Sequence, residues 1–592
     1  MSEALRTRYA AEIANTSAGT EVVLGGWVSR SRDMGGVIFF DLRDPSGLVQ
    51  VVLDPESIPV GAELKMEYCV KVTGLVQMRP VGTQNPDLET GLVEVAAANV
   101  EVLSESKTLP FMIDDRLNVD EFIRLKYRYL DLRRPTMAAN LKARAKATAA
   151  MRRALDDMSF MEVETPTLIA STPEGARDML APSRLQRGSF YALPQSPQIF
   201  KQLLMIGGVD RYFQFARCYR DEDFRSDRQL EFTQLDIEGS FWDEDSVMAT
   251  IETAVASAVG AVKTAAPSLP FERMTWTEAM ERFGSDKPDL RFEMEISDIS
   301  SIFAETDFNG FSGAIADGGS VRGINVGPRD FSRSALDKLI DQAKGLGAKG
   351  LVWAFCEDGG WRSPVGKFLS DAEKVAVLEK FGAVEGDLLL IVAGPTRNSL
   401  EVLGQLRVDL GQPSGHDELR FVWVTRFPVF DVHEDGSLSP AHHPFTQPES
   451  IDQMIDDPEN AFARAYDLVL NGSELGSGSV RIHDPKVQEQ VFDTLGISPE
   501  ERESRFGWFL EALRYGTPPH AGFAVGVDRL LAILVGASTI RDVIPFPKTQ
   551  RGLDPLSGSP SLVTDTQLQE LGLDLRPEVR AALAQDDDNA GD

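Results

Sequence analysis

Two neighbouring segments in the first half of the chain alternate with a period of two. Phe213–Glu222 reads FQFARCYRDE and Glu231–Glu238 reads EFTQLDIE. Successive side chains of a strand point to opposite faces. In the second segment Thr233, Leu235 and Ile237 therefore share one face, and Gln234, Asp236 and Glu238 share the other. In the first, Arg220 falls on the face of Gln214, Ala216 and Cys218. Joined by the polar loop Asp221–Leu230, the two segments predict an antiparallel pair with a charged working face. A lone strand arginine is usually a surface residue. Followed by Asp221 and Glu222, and set against a second polar strand, Arg220 is better suited to reach a phosphate or carboxylate ligand.

With 592 residues the chain exceeds what one core can organise, and roughly three to five domains are expected. Residues 21–103 contain five short apolar runs: Val22–Val28, Val37–Leu42, Leu48–Leu53, Tyr68–Gly74 and Leu92–Leu103. Turn signals separate them at Asp33–Gly36, Asp44–Gly47 and Pro80–Gly91. This spacing predicts a small Greek-key barrel, with the OB-fold ahead of another five-stranded barrel or an SH3-like module. Residues 291–415 read as an inserted α/β domain without a chemical constellation. The tail from about 556 ends in Asp586-Asp587-Asp588, and its last residues are expected to be disordered.

Charge at first argues against a nucleic-acid partner, because the formal net charge is −31. Yet Arg124–Arg153 holds ten basic residues against Asp131 alone, a local +9. Leu141, Ala145, Met151 and Leu155 form an apolar stripe there, so the basic residues occupy the other faces of a helix, either solvated or in contact with a polyanion. Three scattered cysteines, without CxxC spacing, exclude a disulfide framework and a zinc site. No apolar leader opens the chain and no run of about 18 apolar residues interrupts it, so a soluble, cytoplasmic protein without a membrane partner is expected.

Four further motifs carry chemistry. In QSPQIFK, Ser196 is a plausible N-cap with Pro197 at the first helical position, and Gln198 and Lys201 share a face. Lys201 lies in the otherwise apolar stretch IFKQLLMIGG and would be costly to bury without an anion. Glu474-Leu-Gly-Ser-Gly-Ser-Val-Arg481 sets a carboxylate and a guanidinium around glycines that allow either close ligand approach or a hairpin. Gly526-Val527-Asp528-Arg529 runs from a strand into a helix, and Arg529 there opposes the helix dipole unless an anionic ligand joins it. His442-His443 is a dyad, but six histidines and no paired cysteine make a zinc centre a poor reading.

Together these residues resemble the class II aminoacyl-tRNA synthetases. The segment ending Phe160–Pro166 resembles their motif 1, Arg220-Asp221-Glu222 with the strand through Asp236 their motif 2, and Gly526–Leu530 their motif 3. QSPQIFKQLLM, FTQLD, HHPFT and GSGSVRIH are similar to the aspartyl-tRNA synthetases of the bacterial type. The resemblance implies an α+β multidomain fold with an N-terminal OB-fold β-barrel, an antiparallel-sheet catalytic domain and an inserted α/β domain. The implied layout is an anticodon-binding barrel at 1–108, a hinge at 109–140, catalytic parts at 141–290 and 416–555, the insertion at 291–415 and an extension at 556–592.

The resemblance also implies a ligase that activates L-aspartate with ATP and Mg²⁺ and passes it to the 3′ end of tRNA(Asp). Arg220, Glu222 and Arg529 would be catalytic. ATP would meet Arg220, Asp221, Glu222, Gln229, Glu474, Gly526, Val527, Asp528 and Arg529, with Asp467 and Glu474 holding Mg²⁺. Aspartate would meet Glu174, Ser196, Gln198, Lys201, Arg220, Asp236, His442 and Arg481, with Ser171–Asp178 as a lid. Pro166 would lie at a homodimer interface. Arg30, Arg32, Met34, Phe39 and Gln50 would read the anticodon. Met34 departs from the pattern, being neither the His associated with relatives that charge both tRNA(Asp) and tRNA(Asn) nor the Leu associated with strict ones. Two other readings fit parts of the chain: a tRNA-independent amino-acid ligase, which would lack the barrel, and a non-catalytic OB-fold RNA binder, which would have lost motifs 2 and 3.

Overall fold

The computed structural model of the chain describes residues 4–172, 175–223, 225–357, 360–413, 418–433 and 435–589. It separates into two compact units: residues 1–142 with 545–549 and 553–560, and residues 143–544 with 550–552 and 561–592.

In the first unit, the strands Glu21–Asp33, Ile38–Asp44, Gly47–Leu53, Cys69–Met78 and Val93–Ser104 form a closed barrel in the order first, second, third, fifth, fourth. All five expected runs are strands. Alternate residues Val22, Leu24, Val28, Phe40, Leu42, Val49, Val51, Val70, Val72 and Val95 fill the interior. Closure comes from a parallel pairing of Val51 with Val95, which abolishes the open edge. The first strand overruns its expected end by five residues, to Asp33, because a register shift between Val28 and Arg30 bends it on alongside the second strand.

The basic run does not present a free cationic face. Asp131 is fully buried and receives Arg128 at 2.5 Å, Arg124 at 3.0 Å and Arg134 at 3.5 Å. Arg133 reaches Glu67 at 2.8 Å and lies over the Trp27 ring. Farther along, in the second unit, Arg144 pairs with Asp528 and Arg152 with Glu162. Much of the +9 is internal neutralisation, which is invisible to a count along one segment. The apolar side of the helix Pro135–Asp157 also differs from the expected stripe: Ala147, Met151 and Leu155 are buried, whereas Ala145 is exposed.

An eight-stranded sheet organises the second unit. Its order is Glu272–Thr275, Phe421–Thr425, Ala465–Leu470, Ser473–Val480, His520–Gly526, Glu231–Ser240, Arg211–Tyr219 and Met161–Glu162. The two outermost pairings are parallel and the rest antiparallel. Leu235, Ile237, Phe523, Val525, Tyr466 and Leu468 turn to one face and pack against the helix Glu244–Val262 and the end of Pro135–Asp157. Among the described residues Glu244–Val262 is the one helix long and apolar enough to cross a membrane. Its Val247, Ile251, Val255 and Val259 lie in this core.

Between the strands Glu272–Thr275 and Phe421–Thr425 lies a five-stranded antiparallel sheet, ordered Ser297–Asp298, Ser320–Pro328, Asp387–Gly394, Val352–Glu357 and Gly360–Arg362. Ile324, Leu388 and Leu390 face the helices Arg333–Gly345 and Thr396–Leu410, while Val321, Leu389 and Ile391 face Phe303 and Phe311. Near the end of the chain, Pro577–Asn589 is a helix, and residues 590–592, the last of the stretch expected to be disordered, lie outside the described residues. Ala581, Ala582 and Leu583, with Glu578, Arg580 and Gln585, give the segment the propensity for one despite its acidic end.

Candidate active site

The polar face of the large sheet is built in rows. Cross-strand partners project to the same side, so Gln214, Asp236, Ala524, Ser477 and Asp467 form one row, and Tyr212, Glu238, Gly522, Ser479 and Ala465 the next. Small residues on the strands Ser473–Val480 and His520–Gly526 leave room for the charged residues of the neighbouring strands, which are buried. Gly476 and Gly478 serve the opposite face. A Cβ on Gly478 would stand 2.3 Å from the Gly522 carbonyl and 2.6 Å from the Phe523 ring. Close backbone approach and aromatic packing explain these two glycines, rather than a ligand or a hairpin turn.

Above the rows lies a cleft of about 560 Å³ lined by Ser196, Gln198, Lys201, Arg220, Glu222, Gln229, Asp236, His442, Glu474, Arg481, Gly526, Asp528 and Arg529, among others. Its floor is a buried charge quartet. Lys201, on the helix Gln198–Ile206, is 1% exposed and lies 3.0 Å from Asp236 and 3.4 Å from Glu238. Arg481 donates from Nε to Glu238 at 2.9 Å and from Nη1 to the Ser479 hydroxyl at 2.8 Å. Two cations therefore meet two anions, which offsets the cost of burying each. Burial pushes the Asp236 carboxyl up in spite of Lys201. At Glu238 burial pulls the same way, but Arg481 and Lys201 outweigh it and hold the group low.

Three buried polar atoms of lining residues lack a hydrogen-bond partner among the described residues: Gln198 Nε2, Asp236 Oδ2 and His442 Nδ1. Buried polar atoms are normally paired. One amide donor, one carboxylate acceptor and one imidazole nitrogen beside two cations suit a small zwitterion. Ser196 Oγ accepts the Gln198 amide at 3.2 Å, holding the helix start, although the helix itself is bounded by Pro197.

The other end of the cleft is cationic and aromatic. Arg220 follows the strand Arg211–Tyr219, donates to the Gln195 carbonyl at 3.3 Å and lies 5.1 Å over the Phe232 ring. Glu222 accepts from Arg228 at 2.8 Å and lies 3.9 Å from Arg220. Across from them Arg529 donates to the Glu474 carbonyl and to Asp227 at 3.1 Å. Gln229 is buried and lines the same end. Asp528 binds Arg144 through one oxygen and the Thr233 amide through the other, at 2.8 Å, so both its oxygens are engaged in tying the motif 3 helix to its neighbours. Val527 is buried in the core, and Asp221 turns to Arg177 at 3.4 Å outside the lining.

Asp467 and Glu474 lie on paired strands and both line a second cavity of about 460 Å³, which shares Lys287, His442, Glu474 and Ser477 with the cleft. His442 Nε2 is 3.1 Å from Asp467, and Lys287 Nζ is 3.0 Å from Glu474. Burial pushes Asp467 up against the pull of His442, and neighbouring Glu474 adds to the rise. Burial acts likewise on Glu474, but Lys287 and Arg529 hold it low. Burial disfavours the charged imidazole of His442, yet Asp467 more than compensates and raises it.

Several expected residues stand elsewhere. Arg30, Arg32, Met34, Phe39 and Gln50 belong to the barrel. Phe39 is partly exposed between buried Ile38 and Phe40, Arg32 lies 3.6 Å from Asp41, and Gln50 donates to Glu94 at 2.7 Å. Pro166 is exposed just after the edge strand Met161–Glu162. Glu174 falls outside the described residues. So does Pro173; of the other residues in the expected lid, Ala176 and Asp178 are tied to Gln195, whose side chain accepts the Ala176 amide at 3.0 Å and donates to Asp178 at 2.7 Å. Sequence reasoning gave no role to His443, Ser477, Ser479 or Lys287, all of which line the cleft. Alternation about Arg481 marks Ser477 and Ser479. Nothing local marks Lys287, which enters from the segment leading to the inserted sheet.

Residues 120–550 match the family described as tRNA synthetases class II (D, K and N), and residues 22–103 match the OB-fold nucleic acid binding domain. The chain is 49% identical to the aspartate–tRNA(Asp/Asn) ligase of Halothermothrix orenii over 96% of its own length and 98% of the relative's. It is 48% identical to the enzyme of the same name from Thermobifida fusca, over 97% and 99%. Its fold is similar to that of asparaginyl-tRNA synthetase from Pyrococcus horikoshii, with a TM-score of 0.57, 19% identity and coverage of 93% of this chain and 99% of that one. Aspartyl-tRNA synthetase from Entamoeba histolytica aligns with a TM-score of 0.56 at 19% identity over 93% of each chain. With the charged sheet face, the motif residues around its cleft and the N-terminal barrel, the chain belongs to the class II tRNA synthetases of the D, K and N group.

Proposed function

We propose that the protein is an aspartate–tRNA ligase, and the observation that carries this reading is the Lys201–Arg481 pair at the floor of the cleft. An amino acid with a side-chain carboxylate adds an anion to two cations. A lysine substrate would add a third cation beside them. An asparagine side chain would leave the cations without a new charge partner, at a cost of several kcal/mol if they are freed from their internal carboxylates. Asp236 Oδ2, with Glu174, receives the substrate ammonium, and Gln198, Ser196 and His442 complete the pocket. The names of the relatives at 48–49% identity support the same substrate.

The reaction proceeds in two steps. An α-carboxylate oxygen of aspartate attacks the α-phosphorus of ATP and pyrophosphate leaves, giving aspartyl-adenylate. The 3′-terminal ribose hydroxyl of tRNA then attacks the activated carbonyl and AMP leaves. Arg220 holds the α-phosphate and the aspartate α-carboxylate together, Phe232 stacks on the adenine, and Arg529 closes the far side of the nucleotide. Glu222 and Gln229 orient it with the backbone of Gly526–Asp528. No protein nucleophile is required, since positioning and charge stabilisation supply the acceleration.

Asp467 and Glu474 fit a Mg²⁺ ion. They are hard oxygen donors, close enough that Glu474 raises the proton affinity of Asp467, and two carboxylates with substrate phosphates are a usual magnesium donor set. When bound, the ion neutralises charge on the phosphates. The barrel contributes Phe39, Arg30, Arg32, Met34 and Gln50 to the anticodon, with residues 141–290 and 416–555 forming the catalytic domain around the insertion at 291–415. Exposed Met161, Pro166 and Leu168 at the sheet edge support a homodimer. We assign the enzyme to the cytoplasm with the rest of translation.

ATP–pyrophosphate exchange tests the substrate. Exchange with aspartate, and not with asparagine or lysine, is expected; exchange as strong with lysine overturns the reading. Charging of purified tRNA(Asp) and tRNA(Asn) decides the acceptor range that Met34 leaves open.

A further inference from the structure

Asp467 and Glu474 each have their own nitrogen partner, His442 and Lys287 respectively. The two partners are not equivalent. His442 stacks edge-on against Phe427 at 4.4 Å and bonds the deeper carboxylate. The Lys287 side chain is 42% exposed on a flexible stem and borders both cavities. Its backbone, in contrast, is held. Gly284, in the left-handed region at φ +63°, packs so closely that a Cβ would stand 2.0 Å from the Leu400 carbonyl. The Lys287 amide donates to Ser285 Oγ at 3.0 Å. Just beyond, buried Arg407 donates to the carbonyls of Asp289 at 2.8 Å and Phe292 at 2.9 Å. A held Cα with a half-exposed ammonium aims one positive charge at Glu474 and leaves it room to withdraw.

We infer that Lys287 is a tethered cation that holds Glu474 in place of a divalent ion, and that the ion must displace it, so that Lys287 sets the metal affinity of the site. This rests on the assignment of Asp467 and Glu474 as the metal-binding pair. Lys287 is a positioning residue: it holds Glu474 at 3.0 Å between turnovers, at the expense of weaker metal binding. A merely structural surface pair would not compete with the ion at all.

The test is binding of Mn²⁺ to the full-length protein with a non-hydrolysable ATP analogue, followed by the free-ion electron paramagnetic resonance signal. Lys287→Met is expected to bind Mn²⁺ about fivefold more tightly than the wild type, the upper range for loss of a half-exposed ion pair. Lys287→Arg keeps the charge and should bind as the wild type does. The magnesium concentration giving half-maximal exchange should fall in the Met variant by the same factor. Unchanged or weaker Mn²⁺ binding in Lys287→Met, with Glu474→Gln still abolishing it, overturns the inference and leaves the metal pair standing. If Glu474→Gln binds Mn²⁺ as the wild type does, the metal pair itself is wrong and the inference falls with it. Lys287→Arg supplies a second reading should the Met variant fold poorly: tightened binding there also overturns the inference.

Discussion

Gly522 faces Glu238 across adjacent strands so closely that a Cβ on the glycine would stand 1.8 Å from Glu238 Oε2. The glycine is the space that the carboxylate occupies while it holds Arg481 at 2.9 Å. Gly522→Ala must therefore push Glu238 out of its place and loosen Arg481. The KM for aspartate in pyrophosphate exchange is expected to rise at least tenfold, with the KM for ATP within about twofold. Overpacking of this kind should cost about 1–3 kcal/mol in denaturant unfolding. An unchanged aspartate KM would mean that the quartet does not position the substrate.

Removing the guanidinium itself is more severe. Arg481→Ala leaves Glu238 buried with Lys201 alone at 3.4 Å. Loss of a charged substrate contact and of the partner of a buried anion together are worth about 4 kcal/mol, close to a thousandfold in rate. Aspartate-dependent exchange should fall by that order. Calorimetric ATP binding should stay within about threefold, because Arg220 and Arg529 lie at the other end of the cleft.

The elements that could be read in advance are those whose signal is local. Period-two alternation fixes which face Asp236 and Glu238 occupy, and the structure keeps Leu235 and Ile237 in the core as that pattern requires. Five apolar runs with turn residues between them suffice for the barrel. What could not be read is pairing between distant segments. Arg481 finds Glu238 across 243 residues, and Lys201 finds Asp236 across 35. The basic run misled for the same reason, since Glu67 takes Arg133 across 66 residues and Asp528 takes Arg144 across 384, partners that a local sum does not contain. Lys287 carried no signal because a lysine before an inserted domain looks like any surface lysine until Glu474 is set beside it.

On the barrel, Phe39 alternates with buried Ile38 and Phe40 and so turns its ring outward. Stacking of a base on such a ring is worth about 1–3 kcal/mol. Phe39→Ala should weaken tRNA(Asp) binding about tenfold or more. Exchange with aspartate, which needs no tRNA, should be unaffected. Filter binding and exchange on the same preparation make the comparison.

Acid should weaken the fold through the histidines enclosed near the charge quartet. Burial, then Arg481 and Lys201, pull the His443 imidazole down to about 3. Burial lowers His520 as well, against the pull of Glu238. An unfolded histidine titrates near 6.5. Above that value both states are neutral and the stability is intact. Below it the unfolded chain takes up a proton that folded His443 refuses, so stability falls as the pH drops from about 6.5 toward 3. While unfolded His443 is protonated and folded His443 is not, the loss approaches about 1.4 kcal/mol per pH unit. Urea midpoints at pH 7.5 and pH 5 measure it. His443→Asn should lose less stability between those two values than the wild type, and an equal loss would show that His443 titrates normally in the folded protein.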